Sequence, residues 1–331
     1  MSTSLPNIVV LATGGTIASQ GNSPLSDHYQ NASIGIETLL ADLPELNQVA
    51  NISTEQIAQI ESQHISEDIW FSLARRIMVL VNCDDVDGVV ITHGTDTLEE
   101  TAYFLNLVLN TSKPVVLTGA MRPANALSSD GPKNLLSAIV VAKDFKVHGK
   151  GVLVVMNNTV HAARMVSKMH VSSLDSFESP ILGMLGSIEG PEVVFYQQPT
   201  RRHTYQSEFK LEDISSLPRV DIVYGYAFND SDRINAVVNL KAKGIVSAGM
   251  GRGQQNKATC EALIKAREQG VLVVRSSRIN GGIIARDPGI DDAYDFIAGD
   301  NLNPQKARVL LSLALTKTQD SKIIQQMFNS Y

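Results

Sequence analysis

The chain has 331 residues, 44% of them hydrophobic and 19% charged, enough to bury a sizeable core and, at roughly 150 residues per domain, to make two domains or one large one. Lysines and arginines number 28 against 34 aspartates and glutamates, a net charge of −6, which argues against a nucleic-acid or anionic-membrane binder. No apolar run approaches the ~20 residues that cross a bilayer, the first residues lack the basic and apolar regions of a signal peptide, and the distant pair Cys83 and Cys260 forms neither a CxxC nor a zinc pattern, so no metal, cofactor or disulfide framework is expected.

In chain order, short β-branched runs predict strands at 7–12, 87–92, 114–118, 151–156, 220–225, 244–248 and 270–275. Most are continuously apolar, which is how strands covered on both faces read. Between them, Ile69, Leu73, Ile77 and Leu80 recur on one face of a helix at 66–81. Similar spacing predicts helices at 97–109, 133–144, 232–242, 257–268 and 304–315. Such alternation predicts an α/β protein with mainly parallel sheets and right-handed crossovers. The alternation breaks at about 171–218, rich in Pro and Gly, where hairpins such as one using 193–197 fit and helices do not. The expected organisation is a larger N-terminal α/β domain at 1–197, a linker at 198–218 and a smaller C-terminal α/β domain at 219–331.

In open parallel sheets, ligands bind beyond the carboxyl ends of the strands. Those ends carry Thr13-Gly14-Gly15-Thr16, Thr92-His93-Gly94-Thr95-Asp96-Thr97, Gly119-Ala120-Met121-Arg122 and Gly249-Met250-Gly251-Arg252-Gly253. Hydroxyls, an aspartate and glycine-freed backbone amides gathered at one edge suit acyl chemistry: a hydroxyl attacks, a base takes its proton, and N–H groups hold the oxyanion. Thr97 and Glu100 have the spacing of a capping box, which by itself would only start a helix. Gly14-Gly15 also fits a phosphate-binding turn, but neither GxGxxG nor GxxxxGK[ST] is present. No GxSxG elbow or HExxH motif occurs, and His93 reads as a residue that bonds locally.

The segments VLATGGTIA at 10–18 and DGVVITHGTDTLEETAYFL at 87–105 resemble the two signature motifs of the bacterial type II L-asparaginase and glutaminase-asparaginase family. The resemblance continues through GAMRP at 119–123, SSDGPKNL at 128–135, GVLVVMN at 151–157, SLPRVDIVYGY at 216–226, GIVSAGMG at 244–251, VVRSSR at 273–278 and LNPQKARVLLSLALT at 302–316. It implies a two-domain amidohydrolase, assembled as a homotetramer (a dimer of dimers), that converts asparagine, or asparagine and glutamine, to the acid and ammonia. By the same resemblance Thr16 matches the nucleophile, next to Gly15, and Tyr29 the loop tyrosine that bonds it. Ser62 and Gln63 match the residues that grip the substrate's carboxylate and amine. Thr95, Lys168 and Asp96 match a second polar group, with Asp96 also on the amine.

Four positions depart from the family's pattern. Gly289 stands where the family has a glutamate reaching a neighbouring subunit's site, leaving Asp287 or Asp291 to take over. Gly251-Arg252-Gly253-Gln254 replaces a GNGN-like loop, with Gln254 still able to bond substrate. His64 follows Gln63 in place of an acidic residue, and Ser112 stands where relatives pair a cysteine with the one matched by Cys83. The last departure points to a reducing, cytoplasmic setting, with a periplasmic one as the alternative if a signal segment has been removed. Gly289 keeps a second reading in view: a weakened relative that binds an amino acid as a sensor or acts on another amide.

Overall fold

The computed structural model describes residues 5–23, 29–30, 34–41 and 43–331. The chain forms two compact units, Met1–Leu211 and Glu212–Tyr331. In the first, eight strands make one sheet: β1 (Asn7–Gly14), β2 (Asn51–Ile60), β3 (Gly88–Thr92), β4 (Val115–Thr118), β5 (Val152–Met156), β6 (Thr159–Ala162), β7 (Gly186–Glu189) and β8 (Glu192–Phe195). Their order across the sheet is β8-β7-β6-β5-β4-β3-β1-β2. The half from β2 to β5 is parallel, and β5 to β8 pair antiparallel.

Alternate side chains of the parallel strands face opposite helical layers. Ile8, Val10 and Ala12 join Val90 and Val116 in a cluster with Ile36 of the short helix α1 (Ile36–Ala41) and with Leu135, Ala138 and Ile139 of α4 (Gly131–Ala142). On α2 (Glu67–Val81) and α3 (Leu98–Val108), Trp70 stacks on Phe104 with ring centroids 4.7 Å apart. With strands buried on both faces, a continuous apolar run is the pattern a central strand requires. Strand β2 departs from that pattern. It is the sheet's edge, its residues are mostly half-exposed, and its sequence NISTEQIAQI carries polar groups the expectation passed over. Helix α4 begins two residues before the predicted start at 133, because Pro132 fits the first turn.

The order β4-β3-β1-β2 has a functional consequence. From β1 the chain moves to β2 on one side, then crosses to β3 on the other. A crevice opens where the winding reverses, beyond the carboxyl ends of β1 and β3. The stretch 198–211 belongs to the first unit: Phe209 is buried, and the Ser207 hydroxyl bonds the Leu107 carbonyl at 2.5 Å.

The second unit holds a parallel four-stranded sheet, β9 (Val220–Tyr224), β10 (Gly244–Gly249), β11 (Leu272–Ser277) and β12 (Ile297–Ala298), in that spatial order. Its helices are α5 (Asp232–Asn239), α6 (Lys257–Glu268), α7 (Pro304–Ala314) and α8 (Ser321–Ser330), the last not among the predicted elements. Asn256, Asn303 and Asp320 cap α6, α7 and α8 through their side chains. No described helix is long and apolar enough to cross a membrane.

Candidate active site

Two glycines set the centre of the site. Gly15 follows β1 with φ 83°, and a Cβ there would lie 2.2 Å from Gly94 Cα. The two backbones therefore touch, and only glycine permits both the left-handed conformation and the approach. Gly15 also donates its N–H to the Ile60 carbonyl at 2.9 Å, so the ends of β1, β2 and β3 are tied together. Thr16 opens a 3-10 turn, Thr16–Ala18, whose Ile17 and Ala18 are buried against Ala120. The nucleophile candidate is thus half-exposed on a turn anchored from beneath. Gly15→Ala is expected to destabilise the protein by more than about 2 kcal/mol, combining a forbidden φ with a backbone clash. Urea denaturation checks this, and an unchanged midpoint would contradict the contact.

At the end of β2 the chain turns through Ser62–His64. The buried Ser62 hydroxyl accepts the Asp96 N–H at 3.1 Å, and its carbonyl accepts the Thr97 hydroxyl at 2.8 Å. That second bond corrects the capping-box expectation. Thr97 occupies the N-cap position of α3, but its side chain makes no cap bond, because the hydroxyl is spent on Ser62. Its role is to fix the β2 turn against the β3 turn. Gln63 donates its amide N–H to the Glu61 carboxylate. His64 is exposed and does not line the cleft described below.

His93 lies entirely inside the fold, 1% exposed. Its Nε2 is 3.0 Å from the Thr101 hydroxyl, which lies 2.8 Å from Trp70 Nε1; its Nδ1 is 2.7 Å from the Gly94 carbonyl. An indole N–H can only donate, so Thr101 accepts from Trp70 and gives its own proton to Nε2. This network assigns the ring proton to Nδ1, donated to Gly94. Burial holds the His93 imidazolium pKa down to about 4, against a weaker upward pull from the Gly94 carbonyl. The unfolded chain takes up this proton near pH 6.5, while the folded one refuses it until about pH 4. Stability present above pH 6.5 is therefore lost as pH falls through that window, by about 3 kcal/mol in total. His93→Gln should lack this component: the wild-type minus variant difference in unfolding free energy should shrink from pH 7 to pH 4. A constant difference would contradict the neutral buried ring.

The end of β4 supplies Met121. Its N–H and that of Arg122 both donate to the Asp130 carboxylate, at 2.9 Å to each oxygen in turn. Asn134 Nδ2 donates to the Gly119 carbonyl and to Asp130, both at 3.0 Å, and its Oδ1 accepts the Asn157 N–H at 3.0 Å. This explains why the Asp130 and Asn134 positions of SSDGPKNL accompany GAMRP: the first segment holds the turn of the second. The loop after β1 is tied to the same turn, since Ser19 accepts the Ala124 N–H and Gly21 exchanges bonds with Asn125.

Lys168 comes from a short antiparallel ribbon, Ser167–Lys168 against Phe177–Glu178. Its ammonium donates to the Thr95 hydroxyl at 2.9 Å and to Asp96 Oδ1 at 2.6 Å. The Lys168 side chain is 17% exposed, while that of Asp96 is 61% exposed, so the pair stands at the wall of an open cleft. That cleft has a volume of about 340 Å3. Gly15, Thr16, Ser62, Gln63, Thr95, Asp96 and Lys168, all named from the sequence, line it together. Gly94 and Met121, from the strand-end segments, line it too, as do Glu61, Ser19 and Val171, which the sequence did not single out. The side chain of Tyr29 lies outside the described residues. Among those described, no group of three or more His, Cys, Asp or Glu is arranged to hold a metal ion.

Gln254 belongs to the second unit. Its backbone pairs with Met250 in both directions at 2.8 Å and its side chain is exposed; the neighbouring Gln255 side chain is the one turned inward, onto Ser247. Arg275 holds two loops at once. It donates to the Arg252 and Ala285 carbonyls, at 3.1 and 3.0 Å, and to both oxygens of the fully buried Asp291, at 2.5 and 2.6 Å. Asp291 also accepts the Asp287 N–H at 2.7 Å. Its carboxylate is therefore consumed inside the unit, which removes it as a substitute for a residue-289 side chain. Asp287 accepts the Gly289 N–H at 2.9 Å and is half-exposed, so it keeps that capacity.

Comparison with known proteins decides the relationship. Residues 7–201 match the family described as "Asparaginase, N-terminal", and residues 219–328 match the "Glutaminase/Asparaginase C-terminal domain". The chain belongs to the asparaginase/glutaminase family. A probable periplasmic L-asparaginase of Haemophilus influenzae is 49% identical over 99% of this chain and 93% of its own length. A glutaminase-asparaginase of Pseudomonas fluorescens is 48% identical over 99% and 91% respectively. The crystal structure of a probable cytoplasmic L-asparaginase from Campylobacter jejuni superimposes with a TM-score of 0.96 at 44% identity, covering 98% of this chain and 100% of that one. The asparaginase fold thus extends over both units.

Proposed function

We propose that this protein hydrolyses the side-chain amide of L-asparagine, and more weakly of L-glutamine, releasing ammonia. The observation that carries the reading is the convergence of Thr16 with the Thr95–Lys168–Asp96 cluster in one cleft at the switch point of the sheet. In the first half-reaction Thr16 Oγ1 attacks the amide carbon, and its proton passes to the departing nitrogen. Ammonia leaves and an ester remains on Thr16. In the second, water attacks the ester carbon, its proton returns to Thr16, and the free acid departs. The Lys168 ammonium on Thr95 makes that hydroxyl a stronger proton donor toward the amide nitrogen or the oxyanion. Asp96 is the carboxylate for the substrate's α-ammonium.

Ser62 accepts the Asp96 N–H with its hydroxyl oxygen, leaving its own proton to donate to the substrate carboxylate. Tyr29 would bond Thr16, and Gln254 would bond substrate in a neighbouring copy, which requires at least a dimer; the family resemblance extends this to a homotetramer built as a dimer of dimers. No added cofactor is needed for this chemistry, and no nucleic acid or membrane takes part. A reducing compartment is supported by Cys83, which is free and exposed, with Ser112 where a partner cysteine would stand. The direct test is ammonia release from L-asparagine and L-glutamine at neutral pH. Release from asparagine in excess of glutamine is expected, and release from neither would end the proposal.

A further inference from the structure

Glu61 is a carboxylate in the cleft that no step above uses. It follows Ile60, the last residue of β2, whose carbonyl receives the Gly15 N–H. Its backbone is thereby fixed relative to Thr16. It sits at the N-cap position of the Ser62–His64 turn with extended backbone, yet its side chain makes no cap bond. Instead it lines the cleft and accepts the Gln63 amide N–H.

That bond settles which end of Gln63 is free. A glutamine side chain offers two N–H donors on one atom and a carbonyl acceptor on the other. With its nitrogen drawn to Glu61, Gln63 turns its oxygen away as an acceptor. An acceptor grips an ammonium and repels a carboxylate. The charges agree: among the described residues the cleft is lined by two carboxylates, Glu61 and Asp96, and one ammonium, Lys168, and the last two are paired with each other. Among these residues Glu61 is the carboxylate with no cationic partner.

We propose that Glu61 is a specificity residue that selects substrates bearing an α-ammonium, both by its own charge and by orienting the Gln63 amide oxygen. The inference rests on the amide-hydrolysis reading of the same cleft. It predicts discrimination between L-asparagine and succinamic acid, which has the same side-chain amide and carboxylate but hydrogen in place of the amine.

The test is steady-state kinetics of the wild-type protein, Glu61→Gln and Glu61→Ala on both compounds. Glu61→Gln keeps an acceptor for Gln63 and removes the charge. Its KM for asparagine should rise about 10-fold or more, the scale of a charge-assisted hydrogen bond, with kcat within about threefold. Its kcat/KM for succinamic acid should stay within about threefold of wild type. Glu61→Ala also frees the Gln63 amide, so its KM for asparagine should rise further. Equal losses on both compounds would mean a merely structural role and overturn the inference, as would no change on either. A wild-type protein inactive on asparagine would instead remove the amide-hydrolysis reading itself, so the two failures are told apart.

Discussion

Thr16→Val is expected to lower kcat for ammonia release from L-asparagine by about 10³-fold or more, with the thermal midpoint within about 2 °C of wild type. The two halves of this expectation come from different facts. Valine copies the shape of threonine but offers no nucleophile. Stability is spared because Thr16 is half-exposed, and the anchoring of its turn is done by the buried Ile17 and Ala18. Thr16→Ser should keep a measurable part of the activity. If Thr16→Val retained more than a tenth of wild-type kcat, the nucleophile would have to be sought at Thr95.

Lys168→Met is expected to lower kcat about 10² to 10³-fold, the scale of losing one preorganised electrostatic donor, because Thr95 loses the ammonium that strengthens its hydroxyl. Its effect on stability should be small. The ion pair joins Lys168 to an Asp96 whose side chain is 61% exposed, and pairs so open to water stabilise by roughly 0–1 kcal/mol at most. A large loss of stability with unchanged turnover would reverse the assignment and make Lys168 a structural residue. Activity measured beside a urea curve on the same preparation separates the outcomes. The contrast with Arg275 and Asp291 is instructive. That pair is buried, and breaking it would cost several kcal/mol because a charge would be left unpartnered inside the second unit.

The parallel part of the fold is legible in the sequence because double-sided burial writes itself as apolar runs. Strands β1, β3, β4 and β5 of the first unit and β10 and β11 of the second are read this way. Strand β2 is not, for the same physical reason in reverse. As an edge strand it buries little, so NISTEQIAQI carries no continuous apolar run. Missing it matters, because the turn at its end holds Glu61, Ser62 and Gln63. Helix α8 is missed differently: Ile324, Met327 and Phe328 are buried at helical spacing, but the segment is short and lies at the end of the chain.

The site divides along similar lines. Thr16, Thr95 and Asp96 stand at the ends of predicted strands, where a parallel sheet places its ligands, so the sequence points to them with a reason attached. Lys168 has no such signal. A two-residue ribbon brings it to Thr95, 73 positions away in the chain, and only the family resemblance singles it out. The capping-box spacing marked the helix start but not the Thr97 bond, because that hydroxyl has a tertiary partner in Ser62 that no local pattern reveals. Glu61 adjoins two residues that the resemblance names, and a reading of β2 as a strand ending at Ile60 would have exposed it.

Hydrolysis by the proposed route requires a covalent ester on Thr16. The measurement that tests this requirement most directly is peptide mapping by mass spectrometry after acid quench of a single turnover with L-asparagine. An aspartyl adduct on the peptide carrying Thr16, absent in Thr16→Val, is the predicted result. An adduct on the peptide carrying Thr95, or an adduct that persists on the Thr16→Val protein, would contradict it.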